Sequence, residues 1–235
     1  MTDKQFQSPR AGAHAPEKKK RFVLIACEES QIEVSAWRAA GFIAYSCDLQ
    51  ICSGGHPEWH IVGDCRELFT PGVHVFRTQD YTKRRVPRWD MIIAHPPCTY
   101  LTKAGANLLF HDDTVDEERL AKGMEAKRFF LECLGASAPF VAVENPVPMK
   151  IYALPKPSCY VEPWWYGDNY SKKTLFWLKN LPPLMPYFDS LGQYKSWVHC
   201  TRGGKKRSLS FPGIAQAMVE QWGSYVNFYD PEWNI

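Results

Sequence analysis

The sequence predicts an α/β fold with a mostly parallel sheet and helices on both of its faces. Short apolar runs typical of buried parallel strands alternate along the chain with segments of helical periodicity. Such strand–helix alternation is characteristic of α/β domains. The 235 residues are enough for one full core and marginal for two.

Each predicted element has a local signal. Strands are expected at 21–27, 42–48, 60–64, 89–95, 140–145 and 174–181, and helices at 31–41, 116–135 and 212–223. Ser30 and Glu33 fit a capping box, so the first helix should begin at Gln31, and Gly41 should end it. Pro212 suits the first position of the last helix.

Composition narrows the class of protein. No stretch approaches the ~20 apolar residues of a membrane span, so no membrane association is expected. Residues 1–20 are predicted to be a flexible basic tail, 21–225 a single domain and 226–235 a C-terminal tail. Eight scattered cysteines indicate reduced thiols and a cytoplasmic protein. The net charge of +3 permits a nucleic-acid partner without requiring one.

Polar side chains follow the predicted strands at their carboxyl ends, where α/β sheets bind ligands. They are Cys27, Glu28 and Glu29 after the first strand, Asp48 after the second, Asp64 after the third, Cys98 after the fourth, and Glu144 and Asn145 at the end of the fifth. We therefore expect one edge of the sheet to collect an acidic pocket, a thiol and a Glu-Asn pair.

The first two strand ends suggest a cofactor. Asp48 is placed to hold ribose hydroxyls, but the first turn, Cys27-Glu28-Glu29-Ser30, has no glycine-rich loop for a pyrophosphate. This argues against NAD and ATP. S-adenosylmethionine (SAM) carries a ribose, no phosphate and a positive charge, and would tolerate the glutamates. The alternative is a turn role for Asp48 and solvent-facing glutamates.

Cys98 follows Pro96 and Pro97, where a strand can no longer continue its hydrogen-bonding ladder. A thiolate that adds to carbon 6 of a pyrimidine turns carbon 5 into a nucleophile that can accept a methyl group. A helix N-terminus near the thiol would lower its pKa. Glu144 is placed to act as an acid or hydrogen-bond donor on the ring nitrogen. Taken alone, a Pro-Pro-Cys segment is more often structural.

In chain order, these motifs resemble the DNA cytosine-5 methyltransferase family, in the compact form often carried by phages and prophages. The matching segments are HPPCTY (95–100) for the Pro-Cys motif, VENP (143–146) for the Glu-Asn motif, YSCD (45–48) and VGD (62–64) for the ribose and adenine positions, YGDNYSKKTLFWL (166–178) for the Gln-x-Arg-x-Arg motif, and FPGIAQAMVEQWG (211–223) for the C-terminal helix. The match spans roughly residues 22–223.

The resemblance implies a Rossmann-like, SAM-dependent methyltransferase fold, SAM as cofactor, DNA as partner, and the cytoplasm of a bacterial or phage-infected cell. It gives catalytic roles to Cys98, Glu144, Asn145 and Lys172. It gives cofactor-binding roles to Cys27, Glu28, Glu29, Ser30, Asp48, Leu49, Asp64, Cys65, His95 and Pro96, and it implies no metal.

The chain departs from the family pattern in four places. Cys27-Glu28-Glu29-Ser30 replaces the Phe-x-Gly-x-Gly loop, Thr99 replaces a glutamine, and Lys172 and Thr174 stand where the family has arginines. The 27 residues of 180–206 are too few for a separate target-recognition domain. We therefore expect a relaxed or short recognition site of about two to four bases, because each bidentate base contact contributes only ~1–3 kcal/mol.

The sequence is also compatible with other functions. A same-fold enzyme that modifies a free pyrimidine nucleotide or transfers another group, and a non-catalytic nucleic-acid-binding relative, both fit the motifs. An amino-methyltransferase fits less well, since His95 and Cys98 do not match its Asp/Asn/Ser-Pro-Pro-aromatic motif.

Three further segments have their own alternatives. Cys47, Cys52, His56 and His60 have zinc-ligand chemistry but lie too close together for a usual finger, so chance is the better explanation. The aromatic segment 162–170 is a base-stacking candidate, although such clusters more often belong to a core. The basic segment 76–90 is expected to be a loop, either solvated or lying on phosphates.

Overall fold

The computed structural model describes residues 19–111, 114–189, 194–197 and 209–228. Its helices are α1 (Ile32–Ala39), α2 (Glu117–Leu134) and α3 (Pro212–Phe228). Its strands are β1 (Phe22–Ala26), β2 (Ile43–Asp48), β3 (His60–Val62), β4 (His74–Arg77), β5 (Lys83–Val86), β6 (Met91–Ala94), β7 (Phe110–His111), β8 (Thr114–Val115), β9 (Phe140–Pro146), β10 (Cys159–Val161), β11 (Tyr170–Ser171), β12 (Thr174–Lys179) and β13 (Lys195–Ser196).

Seven of these strands form the central sheet, in the order β10-β12-β9-β6-β1-β2-β3. All neighbouring pairs are parallel except those of β12, which runs antiparallel to both β9 and β10. Strand order reverses between β1 and β6, as it does in doubly wound, Rossmann-like sheets. The predicted mostly parallel α/β architecture is confirmed.

Helices cover both faces of the sheet, as predicted. α1 connects β1 to β2 on one side of the reversal, and α2 connects β6 to β9 on the other. Because such crossovers are right-handed, the two helices fall on opposite faces. Phe130 of α2 packs in one apolar cluster, whereas Trp37 of α1 and Trp222 of α3 pack together in the other. All three rings are fully buried.

The start of α1 differs from the predicted capping box. The helix begins at Ile32, after Gln31 in a left-handed conformation (φ 62°), and no side-chain cap comes from that position. Instead, the buried Glu28 carboxylate accepts the backbone N–H groups of Glu33 and Val34, at 2.6 and 3.3 Å. A carboxylate from the preceding loop therefore satisfies the free donors of the first turn, which local spacing could not reveal.

The basic segment 76–90 is a hairpin rather than a loop, because β4 and β5 pair as antiparallel strands within it. Lys83 and Arg85 alternate outward, whereas Val86 is buried. Phe76 packs edge-on against Tyr45, which ties the hairpin to the sheet. The alternation of exposed and less exposed side chains along β5 could not be seen in the sequence, because Lys83, Arg84 and Arg85 are all basic.

The domain extends beyond the predicted boundary at residue 225. α3 continues to Phe228, and Val226 is fully buried. The described part of 180–206 packs on the domain through the buried Leu181 and Leu184. The predicted tail residues 1–18 and 229–235 and the basic run at 205–207 lie outside the described residues. Within the described residues, no helix is both long and apolar enough to cross a bilayer.

Candidate active site

The predicted thiol and carboxylate both lie near the carboxyl ends of β6 and β9. These strands are parallel neighbours in which Ala94 pairs with Val143, so His95 and Glu144 follow the pair side by side. Cys98 comes three residues after His95 and is partly buried. Burial raises the pKa of the Cys98 thiol, and the charge of Glu144 raises it further. The thiol therefore lies within the electrostatic influence of the carboxylate.

The Glu-Asn pair divides between the two faces of the sheet, because side chains alternate along a strand. Glu144 lies on the face of α1 and α3, and Asn145 lies on the face of α2. Asn145 is fully buried and donates from Nδ2 to the carbonyl of Pro96, at 3.0 Å. It thereby ties the end of β9 to the loop that carries Cys98.

His95 lies between two carboxylates. Its Nδ1 is 3.1 Å from Glu144 Oε2, and its Nε2 is 3.0 Å from Glu33 Oε1. Burial alone lowers the pKa of His95, but the charge of Glu33, the hydrogen bond with Glu144 and the close contact with Glu33 outweigh it and raise that pKa well above its usual value. The surroundings of the ring therefore favour the imidazolium.

Glu144 is correspondingly ionised. Burial raises the pKa of its carboxyl group, but the hydrogen bond from His95 and the charges of Lys172 and His95 hold it below its usual value. Thr174 lines the same cavity and acts in the same direction, while its hydroxyl donates to the Lys172 carbonyl at 3.1 Å. Lys172 and Thr174 thus both favour the ionised form of Glu144.

Cys98 does not have the lowered pKa that the sequence suggested. Burial raises the pKa of its thiol, the charge of Glu144 raises it further, and Lys172 only partly opposes these effects. The chain after Cys98 forms a turn and then a 3₁₀-helix at Lys103–Leu108, so no α-helix begins at the thiol. Without that helix dipole, burial dominates and the resting group is a thiol.

A small cavity of about 20 Å³, roughly one water in size, adjoins Glu144. Its polar lining is Glu33, His95, Glu144, Lys172, Thr174 and Ser210, and its apolar lining is Phe176, Leu209, Phe211, Ile214 and Met218. The C-terminal helix α3 thus lines the site from one side.

The residues expected to hold a ribose lie at the end of β2. Asp48 Oδ1 accepts the backbone N–H of Gln50 at 2.8 Å, which holds the carboxylate at the sheet edge. The next side chain, Leu49, is 77% exposed, so an apolar group stands uncovered beside the carboxylate.

The glutamates of the first turn do not face solvent. Glu28 and Glu29 are both buried. Burial raises the pKa of Glu28 to about 8, with the charge of Glu33 adding to the effect. Ser30 is half-buried in the same turn.

The remaining predicted cofactor residues are engaged with the protein itself. Asp64 forms a salt bridge with Arg66, which holds the pKa of its carboxyl group below the usual range. The Cys27 and Cys65 sulfurs lie 3.8 Å apart, and Cys65 is buried. The Pro96 carbonyl accepts the Asn145 amide.

The four zinc-type residues do not converge. Cys47 is buried in the core, and the ring nitrogens of His60 bond to Ser46 Oγ and the Gln50 carbonyl, each at 2.8 Å. His56 stacks on Trp59 instead. Among the described residues, no three side chains of ligand type form a group that could hold a metal ion.

Comparison with solved structures gives a distant structural likeness. No family model and no curated protein matches the chain. Among solved structures, the chain is similar to an E. coli protein described as a "putative DNA modification methyltransferase encoded within prophage Cp". The sequences are 15% identical, and the alignment covers 68% of this chain and 46% of that one, with a TM-score of 0.41. The chain thus spans under half of that protein's length.

Sequence reasoning missed Glu33 as a member of the site, because it was taken for a capping residue. Its side chain is 1% exposed and faces His95 across the sheet edge. A signal was available, since Glu33 lies four residues before the apolar Trp37 and so shares its buried helix face.

The aromatic segment 162–170 is partly core and partly surface. Trp165 packs against the apolar cluster beneath α3. Trp164 stacks on Tyr194 with ring planes 2° apart, and the ammonium of Lys173 lies 4.2 Å from the ring centre of Tyr160. Tyr160 and Tyr194 are each nearly half exposed, so this surface presents aromatic rings of the kind on which nucleic-acid bases stack.

Proposed function

We propose that the protein is a SAM-dependent methyltransferase that modifies carbon 5 of cytosine in DNA through a covalent adduct on Cys98. The observation that supports this proposal is the position of Cys98 and Glu144 near the ends of neighbouring parallel strands, where the charge of Glu144 acts on the thiol. A thiol that can form a nucleophilic thiolate and a carboxylate that can take its proton are groups that serve addition to a pyrimidine ring.

The protonation states assign an order of events. Cys98 begins as a thiol and Glu144 as a carboxylate. Glu144 takes the thiol proton as sulfur bonds to carbon 6. The pair of the C5=C6 bond then forms a C4=C5 bond, the pair of the C4=N3 bond moves to nitrogen 3, and Glu144 returns the proton to that nitrogen. One proton thus moves from sulfur to nitrogen, and no net charge develops. When carbon 5 attacks the methyl group, nitrogen 3 gives its proton back, and loss of the carbon 5 proton with expulsion of the Cys98 sulfur restores the ring. Lys172 favours the thiolate, because its charge lowers the pKa of Cys98.

The residues at the sheet edge fit a cationic, phosphate-free cofactor. The Glu28 carboxyl group occupies the N–H groups at the start of α1 that a cofactor phosphate would need. Asp48 is placed to accept ribose hydroxyls, and the exposed Leu49 to cover an adenine ring. SAM would supply an electrophilic methyl group to carbon 5. The roles of Cys27, Glu29, Ser30, Asp64, Cys65 and Pro96 in holding it are part of this proposal.

DNA binding is proposed through phosphate contacts rather than extensive base reading. Lys83 and Arg85 are exposed on the β4–β5 hairpin, where they are available to phosphate oxygens. The described part of 180–206 packs on the domain through Leu181 and Leu184. We therefore propose a short or relaxed recognition site, with binding that weakens steeply as salt rises.

Covalent trapping tests the proposal. DNA that contains 5-fluorocytosine is incubated with SAM and the protein, and the complex that survives denaturation is measured by mass spectrometry. Wild type should form it, Cys98→Ser should not, and Cys159→Ser, a matched change of a half-buried cysteine on β10, should form it as wild type does. Trapping that persists in Cys98→Ala would show that Cys98 is not the nucleophile. Trapping of free nucleotides but not of DNA would show that DNA is not the substrate.

A further inference from the structure

The Glu33–His95–Glu144 array crosses the point where strand order reverses. It begins on α1, passes through the residue after β6, and ends on β9. The two contacts are 3.0 and 3.1 Å, and the Glu33, His95 and Glu144 side chains are only 1, 13 and 17% exposed. The array therefore joins three elements of the fold and ends on the carboxylate beside Cys98.

The array has no evident value for stability. Burying two carboxylates and an imidazolium is costly, and apolar side chains of similar size are often at least as stabilising. Glu33 Oε2 is buried without a hydrogen-bond partner among the described atoms, which adds to the cost. An expensive ionic group that ends at a proposed reacting carboxylate is better explained by chemistry than by packing.

The geometry also restricts Glu144. Because both ring nitrogens of His95 face carboxylates, the ring has a fixed orientation and one fixed hydrogen bond to Glu144 Oε2. The charge of Lys172 also acts on this carboxylate and favours its ionised form. Asn145, the next residue, holds the Cys98 loop through Pro96. Carboxylate and thiol are thus positioned by adjacent residues of β9.

We infer that His95, held in place by Glu33, is a positioning residue that keeps Glu144 as a carboxylate with one oxygen directed to the thiol and the target base. His95 acts through Glu144 and not on the base itself. This inference rests on the proposed function. It reassigns His95 from the cofactor-binding residues to the residues that position Glu144, the base that activates Cys98.

The charges around Glu144 determine in which direction its pKa would move if the charge of His95 were removed. The cations that act on it are His95 and Lys172, and the anion across the ring is Glu33. Glu28, which adjoins Glu33, has a raised pKa of about 8, and Cys98 is a thiol. The lining residues from α3 and its approach, Leu209 to Met218, carry no charge. Without the imidazolium, burial would raise the pKa of Glu144, and the base would be lost first at low pH.

The pH dependence of adduct formation tests the inference. The rate of trapping on 5-fluorocytosine DNA is measured between pH 5.5 and 9 for wild type, His95→Gln and Glu33→Gln. Glutamine keeps a hydrogen-bond donor but no charge. We expect His95→Gln to be at least 10-fold slower at pH 6 and to approach wild type at pH 9, and Glu33→Gln to shift the same way by less. His56→Gln changes an exposed histidine that pairs with Glu58, and it should match wild type.

A second measurement does not depend on activity. In ¹⁵N-histidine-labelled free protein, the His95 ring, identified by its loss in His95→Gln or its shift in Glu33→Gln, should remain doubly protonated at pH 7.5. A neutral ring at that pH would overturn the inference. So would a His95→Gln rate that falls equally at every pH, which is the result for a merely structural role. If wild type shows the charged ring but forms no adduct on any pyrimidine, the proposed function fails while the ionic array stands.

Discussion

Replacing Glu28 with glutamine should make the stability of the protein less dependent on pH. The Glu28 side chain is 4% exposed and caps the first turn of α1. Burial, followed by the charge of Glu33, raises the pKa of Glu28 to about 8. In the unfolded chain a glutamate titrates at about 4.3. The native state therefore holds this proton more tightly than the unfolded state between these two values.

The sign and size of the effect follow from proton linkage. Because the native state binds more protons, the free energy of unfolding falls as pH rises from about 4.5 to about 8, by at most ~1.4 kcal/mol per pH unit. Summed over this range, the loss is on the order of a few kcal/mol. The amide oxygen of Glu28→Gln can still accept the closer N–H, that of Glu33, but the side chain cannot ionise. The variant should therefore equal wild type near pH 5 and exceed its stability by a few kcal/mol at pH 9.

Urea unfolding of both proteins at pH 5, 6, 7, 8 and 9 measures this difference, and their subtraction removes the contributions of other titrating groups. Glu125→Gln, at an exposed carboxylate in the middle of α2, serves as the control and should leave the curve unchanged. Parallel curves for Glu28→Gln and wild type would refute the reasoning. A wild type that gains stability relative to the variant as pH rises would show that Glu28 is an ionised helix cap, stabilised by the helix dipole.

Two other changes test the packing and the cofactor edge. Gly123→Ala in α2 should destabilise the fold by ~1–3 kcal/mol in urea unfolding, because the added carbon would meet the ring of the fully buried Tyr152 about 2 Å away. Gly223→Ala in α3 has ordinary contacts and should be neutral or stabilising, and equal losses in both variants would contradict the clash. Asp48→Ala should weaken SAM binding about 10-fold or more in calorimetry, since a charge-assisted hydrogen bond contributes ~1.5–3 kcal/mol. Unchanged affinity would place the cofactor elsewhere.

Local patterns determined the main elements of the fold. Apolar runs predicted six of the seven strands of the central sheet, β1, β2, β3, β6, β9 and β12. The α1, α2 and α3 helices follow from 3.6-residue periodicity and end signals. These signals suffice because strand and helix formation depend on neighbours a few residues apart. The position of Cys98 and Glu144 at one sheet edge was predictable for the same reason, since parallel strands align their carboxyl ends.

Features that depend on distant contacts could not be read from the sequence. The antiparallel strand β10 at the sheet edge, the β4–β5 hairpin and the Glu28 cap of α1 all require partners that local spacing does not identify. The expected helix beside Cys98 is absent from the described structure that follows it, and burial therefore raises the thiol pKa where a helix dipole was expected to lower it.

The ionic array at the proposed active site shows the same division most clearly. The sequence by itself determined that a histidine, a thiol and a Glu-Asn pair end neighbouring strands. Only the tertiary structure decided that Glu33 comes from α1 to meet His95, and that His95 in turn meets Glu144. Protonation states follow from distance and burial in three dimensions, and residues 49 and 62 positions apart along the chain carry no local trace of that contact.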